Sequence, residues 1–425
     1  MTIDQITNEY GNAQIARGAF GTISLAVLTP NPNSKYTYSS TPQYSYVALK
    51  TIQNALCPSQ DANDSSSKHK LTLPVFTELA ALRALSSPSG RHENVTPLLS
   101  ILSNNFHDIT FVFPYCPIDL HEIIQSHRFS LEQFQLLPNP IIRTVMKDIL
   151  RGLQHIHSVG IIHCDLKPGN VLFSSKGTFQ LADFGLAQLS NDESKQSAQT
   201  VMGLCTLSYR PPEILYGCHV YKPSVDIWGA GLVLCEMLSG RALFYGNSVL
   251  DQLCRIIDIL GTPTVDNWQG LNDLPDYGKV IFEERSGVGL GMVLNRVRDD
   301  ALLENFVNCM VVLDPGKRCS AKECFEHDWM QGEVCSRQHM YKTLVPNEFT
   351  SVHDGCNVTD LDEGMKQVLL EQMKLKGAEI ALAKRKSSNF SNIASEDGSS
   401  NVDCREKVKV SNDLAGLLSS RMRSK

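Results

Sequence analysis

The stretch His163-Cys164-Asp165-Leu166-Lys167-Pro168-Gly169-Asn170, followed thirteen residues after Asn170 by Asp183-Phe184-Gly185, constrains this chain more than any other feature. It places a carboxylate able to accept a hydroxyl proton, a lysine and a primary amide within six positions. A second carboxylate arrives after a short strand-turn-strand. Groups of these types, folded back on one another, can hold divalent metal and a nucleophilic hydroxyl around a terminal phosphate. Any fold for this chain must therefore bring Asp165 and Asp183 to the same side of a cleft.

The pattern on either side of that stretch predicts two lobes. From Met1 to about Pro117 the chain is strand-rich: Ile15–Leu28, Tyr46–Ile52 and Thr110–Phe113 carry β-branched and aromatic runs bounded by Pro, Asn and Ser. One helix interrupts them, with Leu79, Leu82 and Leu85 on one stripe between Phe76 and Leu85. The polar insertions Thr29–Ser45 and Asn54–His69 have too few apolar residues to pack and read as surface loops. From Leu120 the periodicity turns helical, over Pro138–Val159, Ser224–Ser239 and Val249–Leu260, with shorter segments to about Met330. The expected fold is α+β and bilobal, a small β-rich lobe at about 10–115 with one helix and a larger α-helical lobe at about 119–332. The cleft falls at Phe113–Asp119. Residues 333–425 read as an extension, with a helix at about 360–386 and a Ser/Asn-rich disordered tail beyond it.

Two further motifs lie in the first lobe. Ile15-Ala16-Arg17-Gly18-Ala19-Phe20-Gly21-Thr22-Ile23 resembles the glycine-rich loop of protein kinases, G-x-G-x-x-G-x-V, with Ala16 in place of the first glycine. Glycines serve there because backbone N–H groups must approach phosphate oxygens without a side chain between. Alanine is tolerated at position 16 if its φ is negative. Val47-Ala48-Leu49-Lys50 matches the strand that presents a lysine to the α- and β-phosphates, and Glu78 on the following helix is the expected partner that aims it.

Taken together, these motifs identify the chain as similar to the eukaryotic protein kinases. The resemblance implies ATP and Mg2+ as ligands and a protein hydroxyl as acceptor. Asp165 and Lys167 are then the catalytic pair, and Asn170 and Asp183 the metal ligands. The nucleotide would be met by Ile15, Gly18, Phe20, Gly21, Ile23, Ala48, Lys50, Glu78, Phe113, Pro114, Cys116 and Leu172. Phe113-Pro114-Tyr115-Cys116-Pro117 aligns with the interlobe hinge, with Phe113 as gatekeeper; proline costs nothing at 114, where only its carbonyl is used. Glu213 in Pro211-Pro212-Glu213 should pair with Arg318, and Asp226 should receive backbone N–H groups from the catalytic loop, both as supports.

Within that family, Leu207-Ser208-Tyr209-Arg210-Pro211-Pro212-Glu213-Ile214-Leu215 resembles the cyclin-dependent kinase pattern L-W-Y-R-A-P-E-L-L. So do Gln252-Leu253-Cys254-Arg255-Ile256, Leu260-Gly261-Thr262-Pro263-Thr264 and Leu274-Pro275-Asp276-Tyr277. The resemblance covers roughly residues 10–332. Three departures stand out. The arginines that grip an activating phosphate in this family are replaced by Thr77, Cys164 and Gln188, and the usual phosphoacceptor position is Val201, beside Thr200. The cyclin-docking motif P-S-T-A-I-R-E is replaced by Leu73-Pro74-Val75-Phe76-Thr77-Glu78. An enzyme that needs neither activating phosphate nor cyclin is similar to the fungal single-subunit kinases that phosphorylate the activation-loop threonine of other cyclin-dependent kinases. That protein substrate would be read near Leu204, Cys205 and Arg210. The competing readings are a cyclin-bound, proline-directed kinase in transcription or cell-cycle control, and a pseudokinase scaffold.

Composition excludes other classes. A formal charge of −6 gives no support for binding nucleic acid or an anionic membrane. The longest strongly apolar run, Val225 to Leu238, contains Asp226 and Glu236 and reads as a buried helix rather than a bilayer span. Thirteen scattered cysteines without a C-x-x-C pair, behind a polar N-terminus, suit a reduced intracellular setting, cytoplasm and nucleus. Lys384-Arg385-Lys386 is a candidate import signal.

Overall fold

A computed structural model describes residues 6–7, 14–18, 21–28, 46–53, 55–58, 69–87, 90–104, 108–128, 136–190, 206–344 and 409–410. The expected loop at 29–45, Phe20, the segment 191–205 with Thr200 and Val201, and the expected helix at 360–386 lie outside these residues.

The first lobe is built on an antiparallel sheet. Strands β1 (Gln14–Gly18), β2 (Gly21–Leu28), β3 (Tyr46–Ile52), β4 (Ser100–Asn104) and β5 (Asp108–Pro114) run in the order β1-β2-β3-β5-β4, and Ile6–Thr7 pairs with the far end of β2. Alternation along β3 splits its two faces. Val47 and Leu49 join Ala26, Leu102 and Val112 in a small core on one side. Ile52 on the opposite face joins Phe111 and the helix α1 (Leu73–Ser86), through Val75, Ala81, Leu82 and Leu85, in the main core. Pro74 in the first turn of α1 has a backbone nitrogen that needs no partner there, which fits its start.

The insertion expected as a bare loop at 54–69 is partly structured. Leu56–Pro58 and His69–Leu71 pair as a short antiparallel ribbon, and Ala55 is buried. Main-chain hydrogen bonds supply there what the side chains lack, an outcome that apolar content alone does not register.

The second lobe is helical. After β6 (Ile118–Asp119) come α2 (Leu120–Arg128) and α3 (Asn139–Ser158). The face of α3 carrying Ile142, Val145, Met146, Ile149, Leu153 and Ile156 is buried at helical spacing. Strands β7 (Ile161–Ile162), β8 (Val171–Phe173), β9 (Phe179–Leu181) and β10 (Gln188–Leu189) follow, with β8 paired to both β9 and β6 and β7 paired to β10. Helix α4 (Ser224–Ser239) is buried from Val225 to Leu238 and ends at Gly240 in the left-handed conformation. Helices α5 (Val249–Leu260), α6 (Ala301–Asn308) and α7 (Ala321–Glu326) complete the body. No helix among the described residues is long and apolar enough to cross a membrane.

The lobe continues past residue 332. Helix α8 (Arg337–Leu344) buries Met340 and Leu344 in the main core, and Tyr341 packs its ring 6.1 Å from Phe173. Lys409–Val410 pairs antiparallel with Val280–Ile281, so this piece of the expected disordered tail is a strand held by main-chain bonds.

Candidate active site

Lys50 joins the two lobes. Its Nζ lies 2.5 Å from Oε1 of Glu78 on α1 and 2.8 Å from Oδ1 of Asp183, which follows β9. Burial alone would lower the Lys50 ammonium, but the adjacent Asp183 and Glu78 carboxylates outweigh it and hold the group above its ordinary value. Burial likewise pushes the Asp183 carboxyl up, and Lys50 reverses the sign, leaving it below the usual carboxylate range. Cross-strand register gathers the apolar surroundings of Lys50. Ile23 sits opposite it, Ala48 lies two residues along on the same face of β3, and Phe113 faces Ala48. All three are only half-buried, whereas Val47 and Leu49 on the other face are buried. Leu172 on β8 is half-buried as well, Pro114 is buried at the end of β5, and Cys116 is half-buried in the connection to the second lobe.

The glycine-rich segment forms a hairpin in which Gly18 pairs with Gly21 and Ala16 with Ile23, with a bulge between Gln14 and Ala16. Ile15 is a strand residue of β1. Among the described residues the non-glycine positions with positive φ are Cys164 and Asp183, so Ala16 takes an ordinary strand conformation that alanine adopts without strain. Gly21 is required for a second reason besides the phosphate approach. Its φ is +152°, and a Cβ there would lie 2.3 Å from the Thr51 carbonyl oxygen on β3.

In the catalytic loop Lys167 Nζ donates to Asp165 Oδ2 at 2.6 Å, and Asn170 Nδ2 donates to the Asp165 carbonyl at 2.8 Å and to its Oδ2 at 3.1 Å. Asn170 thereby spends its amide N–H groups on Asp165 and keeps its Oδ1 as an acceptor. His163 Nδ1 accepts the Asp165 N–H at 3.3 Å, which puts the ring proton on Nε2, donating to the Ala182 carbonyl at 2.9 Å. The loop that bears Asp165 is thus tied to the residue before Asp183. Among the described residues no cluster of three or more His, Cys, Asp or Glu could hold a metal by itself. Asp183 and Asn170 offer a small oxygen set, of the kind Mg2+ uses when phosphates complete its shell.

Supports from α4 hold the loop. Asp226 accepts from the backbone N–H of His163 at 2.8 Å and of Cys164 at 2.9 Å, and from His157 Nε2 at 2.8 Å. Burial opposes ionisation of Asp226, but the His157 hydrogen bond and the neighbouring imidazoles keep its carboxyl below the usual range. Gly229, one turn along, lets the loop settle: a Cβ there would come within 3.1 Å of Leu166. Arg318 grips Glu213 with both terminal nitrogens, each at 2.6 Å, and its guanidinium lies 5.0 Å from the Trp228 ring centroid.

Sequence reasoning passed over Thr206. Its N–H donates to Asp165 Oδ1 at 3.2 Å, and its hydroxyl accepts from Lys167 Nζ at 2.9 Å, closing a ring of contacts around the Asp165 carboxylate. No motif containing it was singled out, although its place four residues before Arg210 was readable. The positions expected to have lost their arginines are buried or half-buried. Cys164 is buried with Ile162 and Leu186, and Tyr221 packs against them. Gln188 is buried, pairs with Ile162 through β10, and donates to the Leu186 carbonyl at 3.5 Å. Thr77 is half-buried on α1.

Comparison with known proteins agrees with this geometry. A model of the protein kinase domain matches residues 36–330, with the glycine-rich hairpin ahead of it. Human cyclin-dependent kinase 15 is 37% identical over 251 residues, 59% of this chain and 55% of that protein. The mouse protein of the same name is 36% identical over 251 residues, 59% of this chain and 56% of its own length. The chain thus spans about half the length of the curated relatives it matches. Among solved structures, a chain of the CAK complex from Chaetomium thermophilum bound to ATP-gamma-S superposes with a TM-score of 0.60 at 27% identity, covering 76% of this chain and 92% of that one.

Proposed function

The chain belongs to the protein kinase family, and on that premise we propose that it is a cyclin-dependent-kinase-like, ATP-dependent serine/threonine kinase whose acceptor is the activation-loop threonine of another cyclin-dependent kinase. The observation that carries the phosphotransfer reading is Lys50 bridging Glu78 and Asp183 while Asp165, Lys167, Asn170 and Thr206 close on one another. The partly uncovered apolar face of Ile23, Ala48 and Phe113, with Leu172, fits an adenine ring. The oxygens of Asp183 and Asn170 fit Mg2+.

Bound ATP with Mg2+ would supply the transferable phosphoryl group. Asp165 takes the proton of the acceptor hydroxyl; its Oδ1 is fixed by Thr206 and its Oδ2 by Lys167 and Asn170, so its orientation is set before substrate arrives. Lys167 offsets charge on the transferring group, and Lys50, aimed by Glu78, positions the α- and β-phosphates. Asp226 fixes the loop backbone and Glu213–Arg318 anchors the end of the activation segment.

The choice of substrate rests on similarity to a CAK-complex chain and on the missing charges. In place of three guanidinium groups stand Thr77, Cys164 and Gln188, the last two buried. A loop phosphate gains little there, since each charge-assisted bond it forgoes is worth roughly 1.5–3 kcal/mol. Activity is therefore independent of a phosphate on the activation segment. The full chain, made in bacteria, should phosphorylate an inactive cyclin-dependent kinase but not its loop Thr-to-Ala variant, with unchanged rate after phosphatase treatment. Loss of activity on dephosphorylation, or equal labelling of the alanine variant, would overturn this reading.

One observation favours a cyclin-bound alternative. Phe76, in the stretch replacing the cyclin-docking motif, is 57% exposed on α1. Co-purification of a stoichiometric cyclin, with activity dependent on it, would select that alternative.

A further inference from the structure

Apart from the catalytic cleft, the large lobe holds a meeting of three thiols. Cys309 ends α6, Cys319 lies ten residues on in the loop that returns to α7, and Cys324 is on α7 itself. The Cys319 N–H donates to the Cys309 carbonyl at 2.9 Å, so the two ends of the loop lie side by side. The Cys309 thiol donates to the Phe306 carbonyl at 3.0 Å, and its sulfur lies beside those of Cys324 and Cys319. All three are free cysteines; Cys324 is fully buried, while Cys309 and Cys319 are both partly open to solvent. A lone buried cysteine is an ordinary small apolar filler. Two partly exposed thiols on neighbouring backbones joined by a hydrogen bond are candidates for such a link.

We propose that Cys309 and Cys319 form an oxidant-reactive thiol pair that closes to a disulfide on exposure to a hydroperoxide, clamping the loop that carries Arg318. The Cys309 thiolate attacks one peroxide oxygen; the S–O bond forms, the O–O bond breaks, and hydroxide leaves, the sulfur being oxidised by two electrons and the peroxide reduced. The Cys319 sulfur then attacks the sulfenic sulfur; the S–S bond forms, the S–O bond breaks, and the Cys319 proton departs with hydroxide as water.

The roles of the two sulfurs follow from their surroundings. Hydrogen bonds from Cys324 and then Cys319 outweigh burial and hold the Cys309 thiol below its ordinary value, which favours it as the attacking group. Burial and the neighbouring Cys309 push Cys319 up to about 11, which keeps a proton on the resolving sulfur. The closed loop contains Arg318, whose guanidinium holds Glu213 at the end of the activation segment. Oxidation therefore restrains a structural anchor of the site without touching Asp165, Lys50 or Asp183.

The test is peroxide titration of the full chain, followed by alkylation and peptide mapping. The expected product is a dithiothreitol-reversible peptide linking Cys309 to Cys319, at a dose that leaves Cys324 and the buried Cys235 alkylatable after unfolding. In Cys319→Ser the link disappears and Cys309 is trapped as its sulfenic acid by dimedone. The oxidised wild type melts at a higher temperature than the reduced one, and Cys319→Ser shows no such rise. Continued alkylation of Cys309 and Cys319 at doses that oxidise other cysteines overturns the proposal. So does a link from Cys309 to Cys324, or persistence of the melting shift in Cys319→Ser.

Discussion

Lys50 and Asp183, separated by 133 positions in the chain, meet at 2.8 Å across the gap between the lobes, with Glu78 completing the pair from α1. A single ammonium thus holds together a strand, a helix and the loop after β9. The arrangement depends on register: β3 must place Lys50 on the face opposite Val47 and Leu49.

Replacing Lys50 by methionine keeps the stem and removes the charge. Phosphotransfer should fall by about 10²-fold or more, the scale for one lost electrostatic contact to the reacting group. Stability should fall too, by roughly 3–5 kcal/mol, because Glu78 keeps a buried carboxylate without its cation. Steady-state kinetics beside a urea titration separate the two losses.

Asp165→Asn leaves the contact to Thr206 possible and removes the proton acceptor. The rate should drop by about 10²–10⁴-fold, while nucleotide affinity measured by calorimetry stays near that of wild type. A variant with full turnover would remove Asp165 from the chemistry.

Much of this site was legible because its motifs are local. Val47-Ala48-Leu49-Lys50 fell on β3 with its predicted bounds, Tyr46–Ile52, and α4 and α5 also begin and end where periodicity put them. The run Ile15–Leu28 reads as one strand-rich stretch, and the fold pairs Gln14–Gly18 with Gly21–Leu28 as β1 and β2, since alternation does not mark a chain reversal. Thr206 escaped because its significance is purely three-dimensional: 41 positions from Asp165, it joins the site only when the activation segment folds back. Helix α8 escaped because its two buried residues, Met340 and Leu344, make too thin a stripe for period reading. The second requirement for Gly21 was hidden for a similar reason, as the crowding comes from the Thr51 carbonyl on another strand.

Arg318→Lys is the informative change at the second anchor. Arg318 uses two terminal nitrogens on one carboxylate and a third on the Val312 carbonyl, a fork that an ammonium does not reproduce. The lysine variant should recover little of the roughly 3–5 kcal/mol that Arg318→Ala loses. Chemical denaturation of both variants measures the difference, and near-complete rescue by lysine would mean that charge alone matters here.

Cys164→Arg restores the family's residue at a position now packed against Ile162, Leu186 and Tyr221. A guanidinium forced into that buried, close-packed site should destabilise the protein by about 1–3 kcal/mol. The melting temperature should fall and activity should not become phosphate-dependent, because Thr77 and Gln188 still contribute no cation. Differential scanning calorimetry reads the first effect, and a kinase assay with and without phosphatase treatment reads the second.

Asp226 gives the pH dependence its sign. Its carboxyl titrates below the usual range in the folded chain, through His157 and the backbone N–H groups of His163 and Cys164. The unfolded chain, with an ordinary carboxyl near about 3.9, therefore takes up a proton first as pH falls. The stability Asp226 contributes is complete above that value and drains away as pH drops through its folded one. Asp226→Asn forfeits the contribution at every pH, since an amide offers the two N–H groups at most one acceptor oxygen. The gap in melting temperature between wild type and variant should accordingly be widest above about pH 5 and close steadily below about pH 4. Paired thermal melts across that window decide it: a gap that stays constant into acid would show that the ionised carboxylate is not what holds the catalytic loop.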